Sequence, residues 1–318
     1  MLTRRQILLL ASAASVLDAQ AQESYPSKTI TFVVPWGVGG SNDIISRSLA
    51  SILGDQGFNV IVENQPGAMG AIGLQKVANA PADGYMIGLG TSTTLGNMAL
   101  NKTSLRNQHF DHIARVSLDP FLLVVPAQSK IDTLEQFIDL MKKTTGGVSI
   151  GGNGDFNIAH ILAAMTARSV GSPFVYAPYP GGSKIIIDLL GGHLQSAVLK
   201  PSDCKPQLDS KRLKAIGLYA KKRLLQLSSV PTFAEKGIDV FNLGSVLQMS
   251  YVVAPKGLPI YIREKLIQAF RKALNDDRYK SLSNQYAFIV DDLTGEDLTL
   301  EVNDVGAAIS AVIEKITS

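Results

Sequence analysis

The chain has 318 residues, 46% of them apolar and 18% charged, with 28 glycines, one cysteine and four histidines. Thirty Lys and Arg against 27 Asp and Glu leave a net charge of +3, too balanced for a nucleic-acid clamp, which needs a concentrated basic face. One Cys excludes an intramolecular disulfide framework and any multi-cysteine zinc site, and the length favours two domains over one.

Residues 1–21 read as a secretory signal peptide. Arg4 and Arg5 precede an apolar run from Ile7 to Leu17, and Ala19-Gln20-Ala21 is a small-x-small cleavage site. Thr3-Arg4-Arg5 partly matches a twin-arginine signal, so the general secretory and twin-arginine routes both stay open. No later stretch reaches the ~18 uninterrupted apolar residues of a membrane span. The expected product is a soluble, near-neutral periplasmic protein. Nucleotide chemistry is improbable in that compartment, and no cofactor is expected.

The mature chain alternates strands and helices. Thr29 to Val34 reads as a strand, followed by the loop Pro35 to Asn42 and a helix carrying Ile45, Leu49, Ile52 and Leu53. Phe58–Glu63 and Tyr85–Gly90 are further strands around a short helix, Ala71–Asn79. The pattern restarts with strands Phe121–Val125, Val148–Ile150, Phe174–Ala177, Leu194–Leu199 and Lys214–Tyr219. Helices Leu134–Lys142, Ile158–Arg168 and Lys184–Leu190 lie among them. A strand at Tyr251–Ala254, a helix Ile260–Asn275 and a helical end from Asp297 close the chain. This alternation predicts parallel sheets covered on both faces. No linker separates two halves, which predicts two α/β lobes joined by crossing strands, with a ligand cleft between them.

Three glycine loops open helices. They are Gly37 to Asn42, Gly151 to Asn157, and Tyr179-Pro180-Gly181-Gly182-Ser183. Free amides and the helix dipole make such loops anion sites, although any one of them can serve turn geometry alone. Neither nucleotide fingerprint is met: Gly37-x-Gly39 lacks the third glycine, and Gly181-Gly182-Ser183-Lys184 lacks P-loop spacing. No G-x-S-x-G elbow occurs, so no catalytic residue is assigned and the chain is not read as an enzyme. His109 and His112, lacking a third ligand, read as a solvated loop pair, and Asp276-Asp277 and Asp291-Asp292 as solvated charge.

At these loops the sequence resembles the Bug-type, or tripartite tricarboxylate transporter, extracytoplasmic solute receptors. The resemblance runs through Tyr25-Pro26, Ile30 to Pro35, Gly39-Gly40-x-x-Asp43 with Arg47, Glu63 to Gly70, and Asp83-Gly84-Tyr85. It continues through Gly152-x-Gly154 with His160, Pro178-Tyr179 with Gly181-Gly182, Asp188 to Gly192, Val230 to Glu235, and Ala254-Pro255. Each segment is weak alone; in this order they are specific.

The resemblance implies an α/β fold of the type II periplasmic binding-protein kind, with two Rossmann-like lobes and two crossing strands. Lobe one would comprise residues 22–122 and 250–318, and lobe two residues 123–249. Such a receptor captures a small organic carboxylate between its lobes and delivers it to the permease subunits of a tripartite transporter; a sensor feeding a signalling partner is the alternative. A monomer is expected. The resemblance carries ligand contact onto Trp36, Gly39, Gly40 and Ser41; Thr91 and Ser92; Gly152, Asn153, Gly154 and Asp155; and Tyr179, Pro180, Gly181, Gly182 and Ser183. Asp43 is expected to cap its helix and shape the loop, and His160 to be either packed or a contact. Four departures stand out: Trp36 where the family usually has Phe, Met69 for Gly, Asp155 for a small hydroxyl residue, and Pro180 for Lys. Lys200 also falls where a neutral or acidic residue is common. Asp155 and Lys200 would either read a zwitterion or pair with each other.

Overall fold

The computed structural model describes residues 25–317 apart from 180 and 245; the expected signal peptide and Pro180 lie outside the described residues. Among these described residues ten strands form two five-stranded sheets of one plan. The first contains β1 (Ile30–Val34), β2 (Val60–Asn64), β3 (Met86–Thr91), β4 (Phe110–Leu118) and β10 (Met249–Pro255), in the order β2-β1-β3-β10-β4. The second contains β5 (Phe121–Pro126), β6 (Val148–Asn153), β7 (Phe174–Tyr179), β8 (Ser196–Leu199) and β9 (Leu213–Tyr219), in the order β7-β6-β8-β5-β9.

Neither sheet is all parallel. β10 runs antiparallel to β3 and β4, and β5 runs antiparallel to β8 and β9. These reversed strands belong to the connections between sheets: the chain leaves sheet one at β4 and enters sheet two at β5, then returns through β10. Every residue of β5 and of β10 is buried, so each reads as a continuous apolar run whichever way it points. Periodicity carries no direction.

Among the described residues ten α-helices cover the sheets: α1 (Ser41–Asp55), α2 (Ala71–Ala78), α3 (Ser92–Ala99), α4 (Leu134–Lys143), α5 (Ile158–Ser169), α6 (Gly182–Leu190), α7 (Pro201–Asp209), α8 (Ile260–Leu274), α9 (Asp277–Tyr286) and α10 (Gly295–Thr317). In β1, Phe32 enters the core formed with α1 and α8, while its neighbour Val33 enters the core on the opposite face. Burial of one such side chain contributes roughly 2–3 kcal/mol. That second core runs without interruption from Val33 and Leu74 through Leu298, Val302 and Ile309 of α10 to Ile158 and Leu162 of α5. α10 packs on β4 and α3 of the first half and on α5 of the second, and so joins the two halves.

Four elements escaped the periodicity: α3, β4, α7 and α9. β4 carries Asp111, His112, Arg115 and Ser117, all buried, and a partner satisfies each. Lys256 Nζ and the Gly257 and Leu258 amides donate to Asp111, each at 2.9 Å. Arg115 pairs with Asp291 and Glu301, so Asp291 holds a buried guanidinium and is not simple solvated charge. Asp276 caps α9 by accepting from the Arg278 amide at 2.9 Å, and Asp292 accepts from Arg271 Nε at 2.6 Å. His112 is 2% exposed, with its Nδ1 3.2 Å from Thr299 Oγ1, which corrects the solvated-loop reading. α9 has little apolar sequence and is anchored by Tyr279, whose buried hydroxyl donates to the Val116 carbonyl at 2.6 Å.

Candidate functional site

The carboxyl ends of β1, β3 and β6 and the start of α6 open on a cleft of about 470 Å³ between the two sheets. Trp36, Gly40, Ser41, Thr91, Asn153, Gly181, Gly182 and Lys200 line it, eight of the residues expected from the sequence. Gly37, Val38, Asn42, Thr93, Phe121, Asn157, Ile158, Asp203 and Gln248 complete the wall.

The first loop is held in shape from behind. Asp43 is 2% exposed and accepts from the Gly39 amide (2.9 Å), Arg47 Nε (3.0 Å) and Asn64 Nδ2 (2.9 Å). Burial alone would raise the Asp43 pKa, but hydrogen bonds from Arg47, Gly39 and Asn64 outweigh it and hold the carboxyl below its ordinary value. Asn64 Nδ2 also reaches the Trp36 carbonyl at 3.1 Å. Gly39 takes φ +80°, a conformation that side chains disfavour. Asp43 therefore spends its oxygens on the loop, leaving the loop's other face to the cleft.

The helix starts differ in what they leave open. Gly40 caps α1 and Gly181 caps α6, neither with a side-chain hydrogen bond, so first-turn amides of both helices lack a side-chain acceptor. α5 is closed, because Asn157 Oδ1 accepts from the His160 amide at 3.2 Å. Two of the three glycine loops thus keep the electrostatics of an anion site. They come from opposite sheets. Across the gap, Lys200 Nζ donates to Ser41 Oγ at 3.3 Å.

The other expected residues serve the frame. Ser92 Oγ is fully buried and accepts from the Met249 amide at 3.1 Å, tying α3 to β10. Gly152 is required by packing: a Cβ there would lie 2.9 Å from Ala159 Cβ and overlap the Tyr176 hydroxyl. The Gly154 amide donates to the Tyr179 carbonyl at 2.8 Å, and the Tyr179 hydroxyl donates to Asp188 at 2.7 Å. Asp155 and Ser183 are exposed and do not line the cleft. His160 stacks on Tyr176 with ring centroids 3.9 Å apart, and its Nδ1 accepts from the Phe156 amide at 3.1 Å. Burial lowers its pKa, with Asp155 opposing. His160 is thus a packed support for the second loop.

Gly37, Val38, Asn42, Thr93, Phe121, Asn157, Ile158, Asp203 and Gln248 were not among the expected contacts, although Gly37, Val38, Asn42 and Asn157 lie in the glycine loops named from the sequence. For Asp203 a signal exists: Lys200-Pro201-Ser202-Asp203 is a helix start with Pro at its first position, and the carboxylate falls in the first turn of α7. A larger depression of about 590 Å³ lies elsewhere, along α4 and residues 236–242, and contains none of the glycine loops. Among the described residues, no group of three or more His, Cys, Asp or Glu side chains is placed to hold a metal ion.

The model of the tripartite tricarboxylate transporter family receptor matches residues 44–317. The chain belongs to that family. This receptor is 32% identical over 275 residues to the "UPF0065 protein in gbd 5'region" of Cupriavidus necator, covering 84% of this chain and 81% of that one. A TctC solute binding protein from Polaromonas has the same fold, with TM-score 0.80 and 26% identity over 92% of this chain and 99% of that one. MatC from Rhodopseudomonas palustris with bound malate matches at TM-score 0.76 and 23% identity, covering 91% of this chain and all (100%) of that one, and supports the fold alone. Family and fold together make this receptor a two-lobed periplasmic solute-binding protein of the tripartite transporter system.

Proposed function

We propose that this receptor, exported by cleavage after Ala21, captures a small organic carboxylate in the cleft as a monomer and presents it to the permease of a tripartite transporter. The observation that carries the reading is that α1 and α6, from opposite sheets, bring amides without side-chain caps to one cleft, with Lys200 beside them. A carboxylate accepts from amides and ammonium alike, and its charge strengthens both kinds of hydrogen bond. The lobes divide between residues 120 and 121 and between 248 and 249, because Phe121 and Leu122 belong to β5 of sheet two and Met249 to β10 of sheet one. The lobes close about the crossings at 119–120 and 220–248, because a ligand touching both is bound more tightly in the closed state.

Isothermal titration of the mature protein against mono-, di- and tricarboxylates and amino acids tests the capture. Binding of at least one such acid is expected, and a uniform null would overturn it. Small-angle scattering with and without saturating ligand tests closure; unchanged compactness on binding rules that step out.

A further inference from the structure

Trp36 Nε1, Asn153 Oδ1 and Asp203 Oδ2 are each buried without a hydrogen-bond partner, and all three residues line the cleft. A buried polar group left unpaired costs roughly 1–3 kcal/mol, so three around one cleft, Trp36 from the first half and Asn153 and Asp203 from the second, mark a surface that a ligand completes. The indole N–H is a donor, and the asparagine amide can present either end. An ionised Asp203 is an acceptor only.

The charges are arranged unusually. Lys200 and Asp203 begin the same helix, α7, yet form no salt bridge. Lys200 instead reaches across the cleft to Ser41. Asp203 lies under the start of α6, where a Cβ at Gly182 would come within 3.6 Å of its Oδ2. Burial raises the Asp203 pKa, Lys200 opposes this, and Asp119 adds to it. A cation beside the carboxylate would relieve that strain on its charge. A plain carboxylate ligand would satisfy Lys200 and the helix amides while adding a second anion beside Asp203.

Building on the carboxylate reading above, we infer that the ligand is zwitterionic: its carboxylate meets Lys200 and the open helix starts, and its ammonium donates to Asp203 Oδ2. Asp203, on this assignment, is the residue that separates amino acids from the corresponding plain acids. The sequence placed the acidic partner at Asp155, which is exposed; the structure moves that role to Asp203.

The test is titration of the mature protein with matched pairs differing by one amino group: succinate and aspartate, glutarate and glutamate, propionate and β-alanine. The amino member of at least one pair should bind roughly 10- to 100-fold more tightly than its partner, the range expected of one charge-assisted hydrogen bond. Asp203→Asn, checked for folding by thermal melt, should collapse that ratio to within about threefold by removing the charge. Plain acids binding as well as, or better than, their amino partners would overturn the zwitterion and leave carboxylate capture standing. Preference for amino acids that survives in Asp203→Asn would overturn the assignment to Asp203. No binding by either member of any pair would overturn both readings. The wild-type comparison decides the ligand class even if the variant fails to fold.

Discussion

His112 links the fold to pH in a way that can be measured. Burial is the main cause that lowers its pKa from 6.5 to about 4; Asp111 opposes the shift, and Lys256 and Arg263 add to it. The unfolded chain binds a proton near pH 6.5, whereas the folded one resists until about pH 4. His112 therefore contributes stability that is fully present above pH 6.5 and is lost as the pH falls toward 4. Between pH 7 and pH 5 the linkage amounts to about 2 kcal/mol. Urea unfolding of wild type and His112→Gln at both pH values isolates this contribution, because other titrating groups act on both proteins. The variant should lose about 2 kcal/mol less than wild type on acidification, whatever its absolute stability. Equal losses would refute the claim that His112 is held neutral in the folded protein.

Three substitutions probe the cleft and its frame. Lys200→Ala should weaken binding of the best carboxylate roughly 10- to 100-fold by titration, and unchanged affinity would show that Lys200 is not its counter-ion. Trp36→Phe removes an unpartnered buried N–H; the ligand-free protein should gain about 1 kcal/mol in urea unfolding while ligand affinity falls, and a less stable protein would contradict the orphan-donor reading. Gly152→Ala should cost about 1–3 kcal/mol, since its Cβ must displace Ala159 or Tyr176, and a neutral outcome would mean that β6 and α5 can move apart without penalty.

Helical and strand periods made most of the architecture legible, including β1, α1, β5, α5 and the long α8. Polar strands were not legible: β4 places Asp111, His112 and Arg115 in the interior, and nothing local announces the partners at 256–258, 291 and 299. The site was half legible for a related reason. Gly40 and Gly181 stand out because a glycine before an apolar-periodic run marks an open helix start. Gly152, Tyr179 and Ser92 occupy the same segments but turn into the frame, and adjacency in sequence does not report direction. Phe121, Asp203 and Gln248 arrive from remote segments, and only the tertiary fold brings them to one cleft.

The position of β10 has a consequence for how the molecule is made. All five strands of sheet two lie between residues 121 and 219, so that sheet is complete in one uninterrupted stretch of chain. Sheet one has a gap between β3 and β4 until residues 249–255 arrive to fill it, more than 130 residues after β4 ends. A chain emerging from its N-terminus can finish the second sheet first and must hold the first one open. Assembly of the ligand cleft is then a late structural event rather than an early one, because β10 must complete sheet one first and α10, which packs on both halves, follows it in the chain. A truncated or still-emerging chain has no cleft to fill, so ligand present during folding can stabilise only the finished receptor.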